Sequence, residues 1–270
     1  MNLQSLSQPT PDPDVNDILH VLLLSVQTIL GNHFIGMYLY GSLASGDFDT
    51  SSDIDFVVVT DDELAENIFS ALQEMHARIA ASDSKWAIEL EGLYIPQRAL
   101  RRYDPNHATH PHIERGGSLR IEERDSADVI HWHILRERGI VLAGPDPRTL
   151  IDPISPNELR RAVREILRGW WAPMLADSTR LQSRGYQSYA VLTMCRMLHT
   201  LRYGTVVSKP IAARWAQATL GERWVALIER ALVGRHNSQS KAQSDDVNGT
   251  LDLIRYTLER GQEFEMPLEN

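Results

Sequence analysis

The stretch Tyr38-Leu-Tyr-Gly-Ser-Leu-Ala-Ser-Gly-Asp-Phe-Asp-Thr-Ser-Ser-Asp-Ile-Asp-Phe-Val-Val-Val-Thr60 constrains this chain more than any other. The apolar run Phe34–Tyr40 reads as a buried strand, and a turn of small residues, Gly41 to Gly46, follows it directly. A second apolar run, Asp53–Thr60, reads as another strand and opens on two carboxylates, Asp53 and Asp55, at i and i+2. Period 2 puts both on one face. Two like charges side by side repel, and a buried strand has no use for them. A divalent cation between them makes the arrangement favourable, and all-oxygen carboxylate donors suit Mg²⁺ or Mn²⁺, ions that bridge to phosphates. Upstream, Gly41 lets a phosphate approach the backbone closely. Exposed N–H groups at the start of the following turn can hold anionic oxygens, and the Ser42 hydroxyl adds a donor.

A neighbouring strand should supply a third carboxylate. Trp86–Ile95 reads as that strand, and Glu89 and Glu91 share one of its faces. Glu89 lies inside the apolar run, where burial would raise its pKa and suit it to proton abstraction. Glu91, next to Gly92, is the alternative.

The rest of the chain divides by periodicity. Residues 1–14 are polar and Pro-rich and read as a flexible arm. Val15, Ile18, Leu22, Val26 and Ile29 are spaced as one face of a helix closed by Gly31. Asp61–Ala81 reads as a helix with acid in its first turn. Residues 96–137 mix Pro, His and charge around a Gly116-Gly117 turn and give no clear pattern, and Ile140–Ala143 reads as a short strand. Ser155, Pro156 and Glu158 spell a capping box with Pro at the first helical position. Beyond them only helical spacing is found, ending on Val247, Leu251, Ile254 and Leu258.

Charge divides at the same place. Residues 1–145 hold 22 acidic against 10 basic residues, with no Lys or Arg before Arg78, whereas residues 146–270 hold 14 against 17. The overall charge of −9 argues against a nucleic-acid binder. The acidic half favours metal ions or a cationic ligand, and the basic half tolerates anions. One cysteine, Cys195, precludes an internal disulfide and suggests a reducing compartment. The longest apolar run is too short to span a bilayer, so a cytoplasmic location, no membrane partner and a monomer are expected. His107, His110, His112, His131 and His133 fit no closed zinc spacing and read as structural or solvated. Trp170-Trp171 reads as core and domain interface rather than a base-stacking platform.

Gly-Ser, ten intervening residues, and Asp-x-Asp in an apolar strand resemble the signature of the DNA-polymerase-β-like nucleotidyltransferases. The resemblance extends into the second half. Val141-Leu-Ala-Gly-Pro145, Leu150-Ile-Asp-Pro153, Ala190-Val-Leu-Thr-Met-Cys-Arg196 and Gly204 to Trp215 look like the aminoglycoside 3''(9)-adenylyltransferases, which act on streptomycin and spectinomycin.

The resemblance implies an α+β protein. A nucleotidyltransferase-fold domain over 15–150, a mixed sheet with flanking helices, would precede an α-helical bundle domain over 151–270. It also implies an ATP- and Mg²⁺-dependent transfer of AMP to a hydroxyl of a small cationic acceptor, an aminoglycoside, with release of pyrophosphate. Asp53 and Asp55 would bind the metal, and Glu89 would be the base. Gly41, Ser42 and Ser52 would line the phosphates, and Arg196 and Lys209 of the helical domain would reach them. The chain departs from streptomycin-active members at two drug-contacting positions. Tyr186 stands where they carry an acid, and no Trp occurs between Trp86 and Trp132. Two other readings accompany this one: the same chemistry on another antibiotic, a metabolite or a protein side chain, and an inactive nucleotide-binding module.

Overall fold

The computed structural model describes residues 8–50, 52–235 and 240–263. The chain forms two compact units, Met1–Pro153 and Ile154–Asn270.

The first unit is built on a mixed sheet of strands β1 (Phe34–Leu39), β2 (Ile54–Thr60), β3 (Leu90–Pro96), β4 (Thr109–Ile113), β5 (Arg120–Glu123) and β6 (Ile140–Ala143), in the order β5-β4-β3-β2-β1-β6. Only β2 and β3 run parallel among these pairs; the others are antiparallel. One face carries Met37, Leu39, Ile54, Phe56, Val58 and Tyr94 into the main core. Helices α1 (Pro13–Leu30) and α3 (Glu66–Ala80) cover that face. Asp12 caps α1 by accepting from the Asp14 and Val15 amides, Pro13 sits at its start, and Gly31 closes it in a positive-φ conformation. His76 of α3 is buried in this core, with its Nε2 2.7 Å from the Tyr94 hydroxyl. Burial pushes the His76 imidazole down to about 4.

The opposite face carries Asp55, Val57, Val59, Glu91, Leu93, Ile95, His110 and His112, by strand alternation and register. Helix α5 (Ala127–Arg138) packs against the short helix α2 (Gly41–Ser45), and α4 (Gln97–Arg101) and α6 (Pro147–Leu150) complete the unit.

In the second unit α8 (Arg184–Tyr203) is the central element. It packs against α7 (Pro156–Ile166), α9 (Lys209–Thr219), α10 (Val225–Gly234) and α11 (Ser244–Glu263). Helix α7 starts with the capping box expected of it: the Glu158 amide donates to Ser155 Oγ at 3.2 Å, and the Ser155 amide donates to Glu158 Oε2 at 2.8 Å. The buried Asp246 carboxylate receives Arg184 and Arg230, tying α8, α10 and α11 together.

Several expectations change. Residues 1–7 of the expected arm lie outside the described residues, but Thr10 is buried, and its amide and hydroxyl donate to Asn16 Oδ1, so the chain is already anchored there. The Gly41–Gly46 turn is a helical turn rather than an open one. The helix expected from Asp61 begins at Glu66, because Thr60 and Asp62 hydrogen-bond locally, with Thr60 Oγ1 donating to the Asp62 carbonyl at 2.8 Å. The uninterpreted region 96–137 contains β4, β5 and α5. The third strand starts at Leu90, four residues later than expected, because Ala87–Glu89 close a tight 3₁₀ turn in which the Glu89 amide donates to the Trp86 carbonyl. This last shift bears on the site.

Candidate active site

Gly41 follows β1 directly and sits at φ +61°. A side chain on it would run into the Asp55 carboxylate. Glycine is therefore required twice, for the left-handed backbone and for the approach of the turn to Asp55. The Tyr40 amide donates to the Asp55 carbonyl at 3.1 Å, which pins the turn to β2. Ser42 Oγ is buried and has no hydrogen-bond partner. Buried polar atoms are nearly always paired, so an orphaned hydroxyl next to this glycine suits a ligand oxygen. Asp47 Oδ2, one turn further, is orphaned in the same way.

Ser52 lies in the turn just before β2. Its hydroxyl donates to Asp49 Oδ1 at 3.2 Å and accepts from the Asp49 amide at 3.1 Å, so it closes the turn that leads into β2. Asp53 is half-buried in the segment just before β2, and Asp55 is half-buried on the strand.

The parallel register pairs Asp55 with Glu91. The two carboxylates thus stand abreast on neighbouring strands, on the face away from the main core. Glu89 lies off the strand, in the preceding 3₁₀ turn, and forms an ion pair with Arg115. The expectation that Glu89 lies within the strand is corrected accordingly. Gly92 marks the spot, because a side chain there would run into the Phe56 ring across the strand pair. An adjacent strand glycine is the sequence signal that favours Glu91.

Tyr40, which the sequence reading passed over, is buried beside this pair. Burial first, and then the charges of Asp55 and Glu91, push its phenol well above the ordinary tyrosine value, so it stays protonated. Its ring lies 5.5 Å from that of His131. Behind it, Arg124 Nη2 is 2.7 Å from Asp128 Oδ1, and His131 Nδ1 is 3.5 Å from the same oxygen. Burial would raise the Asp128 carboxyl, but the His131 and Arg124 contacts hold it at about 2. The spacing of Arg124, Asp128 and His131 at i, i+4 and i+7 is the signal that could have located this network. Two of the histidines read as structural or solvated have local carboxylate partners: His107 Nδ1 with Asp104 at 2.9 Å and His112 Nδ1 with Glu122 at 2.9 Å.

In the second unit, Arg196 lies on α8 and Lys209 is the first residue of α9, with its ammonium 4.6 Å above the Tyr189 ring. Trp171 is buried as expected, but Trp170 is 42% exposed.

Among the described residues no three His, Cys, Asp or Glu side chains are clustered closely enough to hold a metal alone. A hard divalent cation held by two carboxylates and completed by phosphate oxygens needs no such cluster. Asp53 and Asp55 offer the donor type, and the orphaned Ser42 hydroxyl beside Gly41 offers a phosphate oxygen a hydrogen-bond donor, so the residues fit Mg²⁺.

Residues 149–260 match the family model "Aminoglycoside adenylyltransferase, C-terminal domain", and residues 26–88 match "Polymerase beta, Nucleotidyltransferase". The chain is similar to a spectinomycin 9-adenylyltransferase of Staphylococcus aureus, with 26% identity over 77% of this chain and 80% of the relative. An aminoglycoside (3'') (9) adenylyltransferase of Escherichia coli is 26% identical over 82% of this chain and 86% of its own length. The crystal structure of the spectinomycin adenyltransferase AAD(9) from Enterococcus faecialis with ATP and spectinomycin shares the fold, with a TM-score of 0.70. It is 19% identical and is matched over 91% of this chain and 98% of its own.

Proposed function

We propose that this chain, a member of the aminoglycoside adenylyltransferase family, transfers AMP from ATP to a hydroxyl of an aminoglycoside antibiotic and releases pyrophosphate. The observation that carries the reading is the pairing of Asp55 with Glu91 beside the Gly41–Ser42 turn. Carboxylates abreast of a glycine cradle suit phosphoryl-group chemistry, where positioning and charge stabilisation do most of the work.

In this mechanism the Gly41 backbone and the Ser42 hydroxyl receive the phosphate oxygens. Asp53 and Asp55 hold Mg²⁺, which when bound neutralises the phosphate charge. Glu91 takes the proton of the acceptor hydroxyl as its oxygen bonds to the α-phosphorus, and the bond to pyrophosphate breaks in line. Glu91 suits the base by its place, abreast of Asp55 on the paired strand, whereas Glu89 lies in the preceding 3₁₀ turn beside Arg115. Tyr40 holds its proton throughout and keeps the turn packed on β2. Arg196 on α8 and Lys209 on α9 are the cations that the family resemblance offers for the phosphates, and the acidic composition of residues 1–145 favours a cationic acceptor. Spectinomycin is the acceptor to try first. It is named in several relatives, and Tyr186 replaces the acid that streptomycin-active members carry.

The test is mass spectrometry of spectinomycin, streptomycin and further aminoglycosides after incubation with the protein, ATP and Mg²⁺. One of them gains a single AMP, with equimolar pyrophosphate. Transfer to none of them, with ATP still bound, would favour the inactive nucleotide-binding reading instead.

A further inference from the structure

The Gly41–Ser42 turn belongs to α2, a single helical turn, and a helix that short does not hold itself in place in water. Its position is set by what packs on it, and both β2 and α5 do. The link to β2 is the Tyr40 amide, which donates to the Asp55 carbonyl at 3.1 Å. The link to α5 is a ring contact, His131 against Tyr40 at 5.5 Å. Tyr40 immediately precedes Gly41, so whatever sets its ring also sets the start of the turn.

Helix α5 is anchored by an ion pair that the reaction above leaves unused. Asp128, in its first turn, is 2% exposed and receives Arg124 Nη2 at 2.7 Å. Arg124 is fixed to the sheet by its own backbone, since its amide donates to the Ala108 carbonyl, just before β4, at 2.7 Å. His131 follows Asp128 at i+3, so the two share a helix face, and its Nδ1 stands 3.5 Å from the same carboxylate. Contacts therefore run from the sheet through Arg124, Asp128 and His131 to Tyr40 and the turn. A buried ion pair adds little net stability, because desolvation offsets the attraction. This one lies on the line of contacts that ends at the turn, and its two charges bear on the Tyr40 phenol with opposite signs.

We propose that Asp128 and His131 are positioning residues of the nucleotide site. Asp128 fixes α5 through Arg124, and the His131 ring then holds Tyr40 and the Gly41–Ser42 turn where the phosphate oxygens are received. This rests on the nucleotide reading above, and the experiment separates the two.

The experiment is isothermal titration calorimetry of the full chain with ATP and Mg²⁺, at a temperature where the parent is fully folded, alongside melting temperatures. Tyr94→Phe is the reference for lost stability alone, because it leaves His76 without its partner in the core on the opposite face of the sheet. His131→Leu removes the ring and weakens ATP by about tenfold, the value of one charge-assisted hydrogen bond to the phosphates. His131→Phe keeps the ring and binds like the parent. Asp128→Asn lowers the melting temperature, as Tyr94→Phe does, and in addition weakens ATP by a similar factor. Parental affinity in His131→Leu overturns the proposal, even where Asp128→Asn fails to fold. So does equal weakening in Tyr94→Phe, which would make the loss a matter of stability. No binding of ATP by the parent would sink the nucleotide reading and this proposal with it. If ATP binds but no acceptor gains AMP, the enzymatic reading fails and the titration still decides this proposal.

Discussion

In the unit Met1–Pro153 the candidate carboxylates stand where backbone pairing puts them: Asp55 faces Glu91 because β2 and β3 run parallel in that register. In the unit Ile154–Asn270 the candidate cations Arg196 and Lys209 stand on helices, and Lys209 lies over the Tyr189 ring. Register is all-or-none, since a slip of one residue turns every side chain to the other face. Ring stacking is graded, since each cation–ring contact contributes only about 0.5–2 kcal/mol. Changes at the strand pair should therefore abolish chemistry, and changes at the rings should tune affinity.

The largest effect is expected at Asp55. Asp55→Asn keeps the strand and its volume but removes a metal-holding charge. It lowers kcat by about a thousandfold, the loss of several kcal/mol of charge stabilisation, with the melting temperature unchanged. An Asp55→Asn protein of near-parental activity would place the metal elsewhere.

Gly41→Ala comes next, and Gly46→Ala is its control. Both glycines have positive φ, so each substitution costs about 1–2 kcal/mol of backbone strain. Only at Gly41 does the new methyl meet the Asp55 carboxylate, whereas Gly46 opens onto free space. Gly41→Ala is expected to lose about a hundredfold in kcat beyond the strain, on the scale at which a displaced catalytic group is penalised, and Gly46→Ala almost none. Equal losses in the two variants would mean that the close approach is incidental.

The smallest effect of the three is on stability. His76 has an ordinary imidazole value of 6.5 when unfolded and about 4 when folded. The neutral form is the folded one, so its contribution is complete above pH 6.5 and is lost as the pH falls towards 4. Between neutral pH and about pH 5 this group removes roughly 2 kcal/mol. Denaturant titration of the parent and of His76→Phe at both pH values measures it. The variant shows a correspondingly flatter pH dependence, and an unchanged slope would show that His76 is not the group responsible.

How much of this was legible in the sequence depended on which physical signal a residue carries. The Gly41–Asp55 stretch was read nearly as it folds, because apolar strands, a glycine turn and a carboxylate pair are all local patterns. The capping box of α7 and the strand Ile140–Ala143 are local in the same sense. Glu89 and Glu91 sit in one apolar run that periodicity cannot divide, and only the 3₁₀ turn at Ala87–Glu89 decides where the strand begins. That turn is set by tertiary packing around the buried Trp86, which periodicity does not record. Residues 96–137 resisted interpretation for a related reason. Strands β4 and β5 are short, and β5 is a charged sheet edge. The hydrogen bonds by which the Ser52 hydroxyl closes the Asp49 turn also leave no trace in hydrophobic periodicity.

The central claim is that strand register, not apolar context, selects the base. Single-turnover rates of Glu91→Gln and Glu89→Gln under saturating ATP, Mg²⁺ and acceptor test it most directly. A general base is worth about a hundredfold or more, so Glu91→Gln should be slowed by at least that factor with ATP affinity intact. Glu89→Gln, which loses only its ion pair with Arg115, should stay within a few-fold of the parent. The reverse order, with Glu89→Gln the slow variant, would contradict the account.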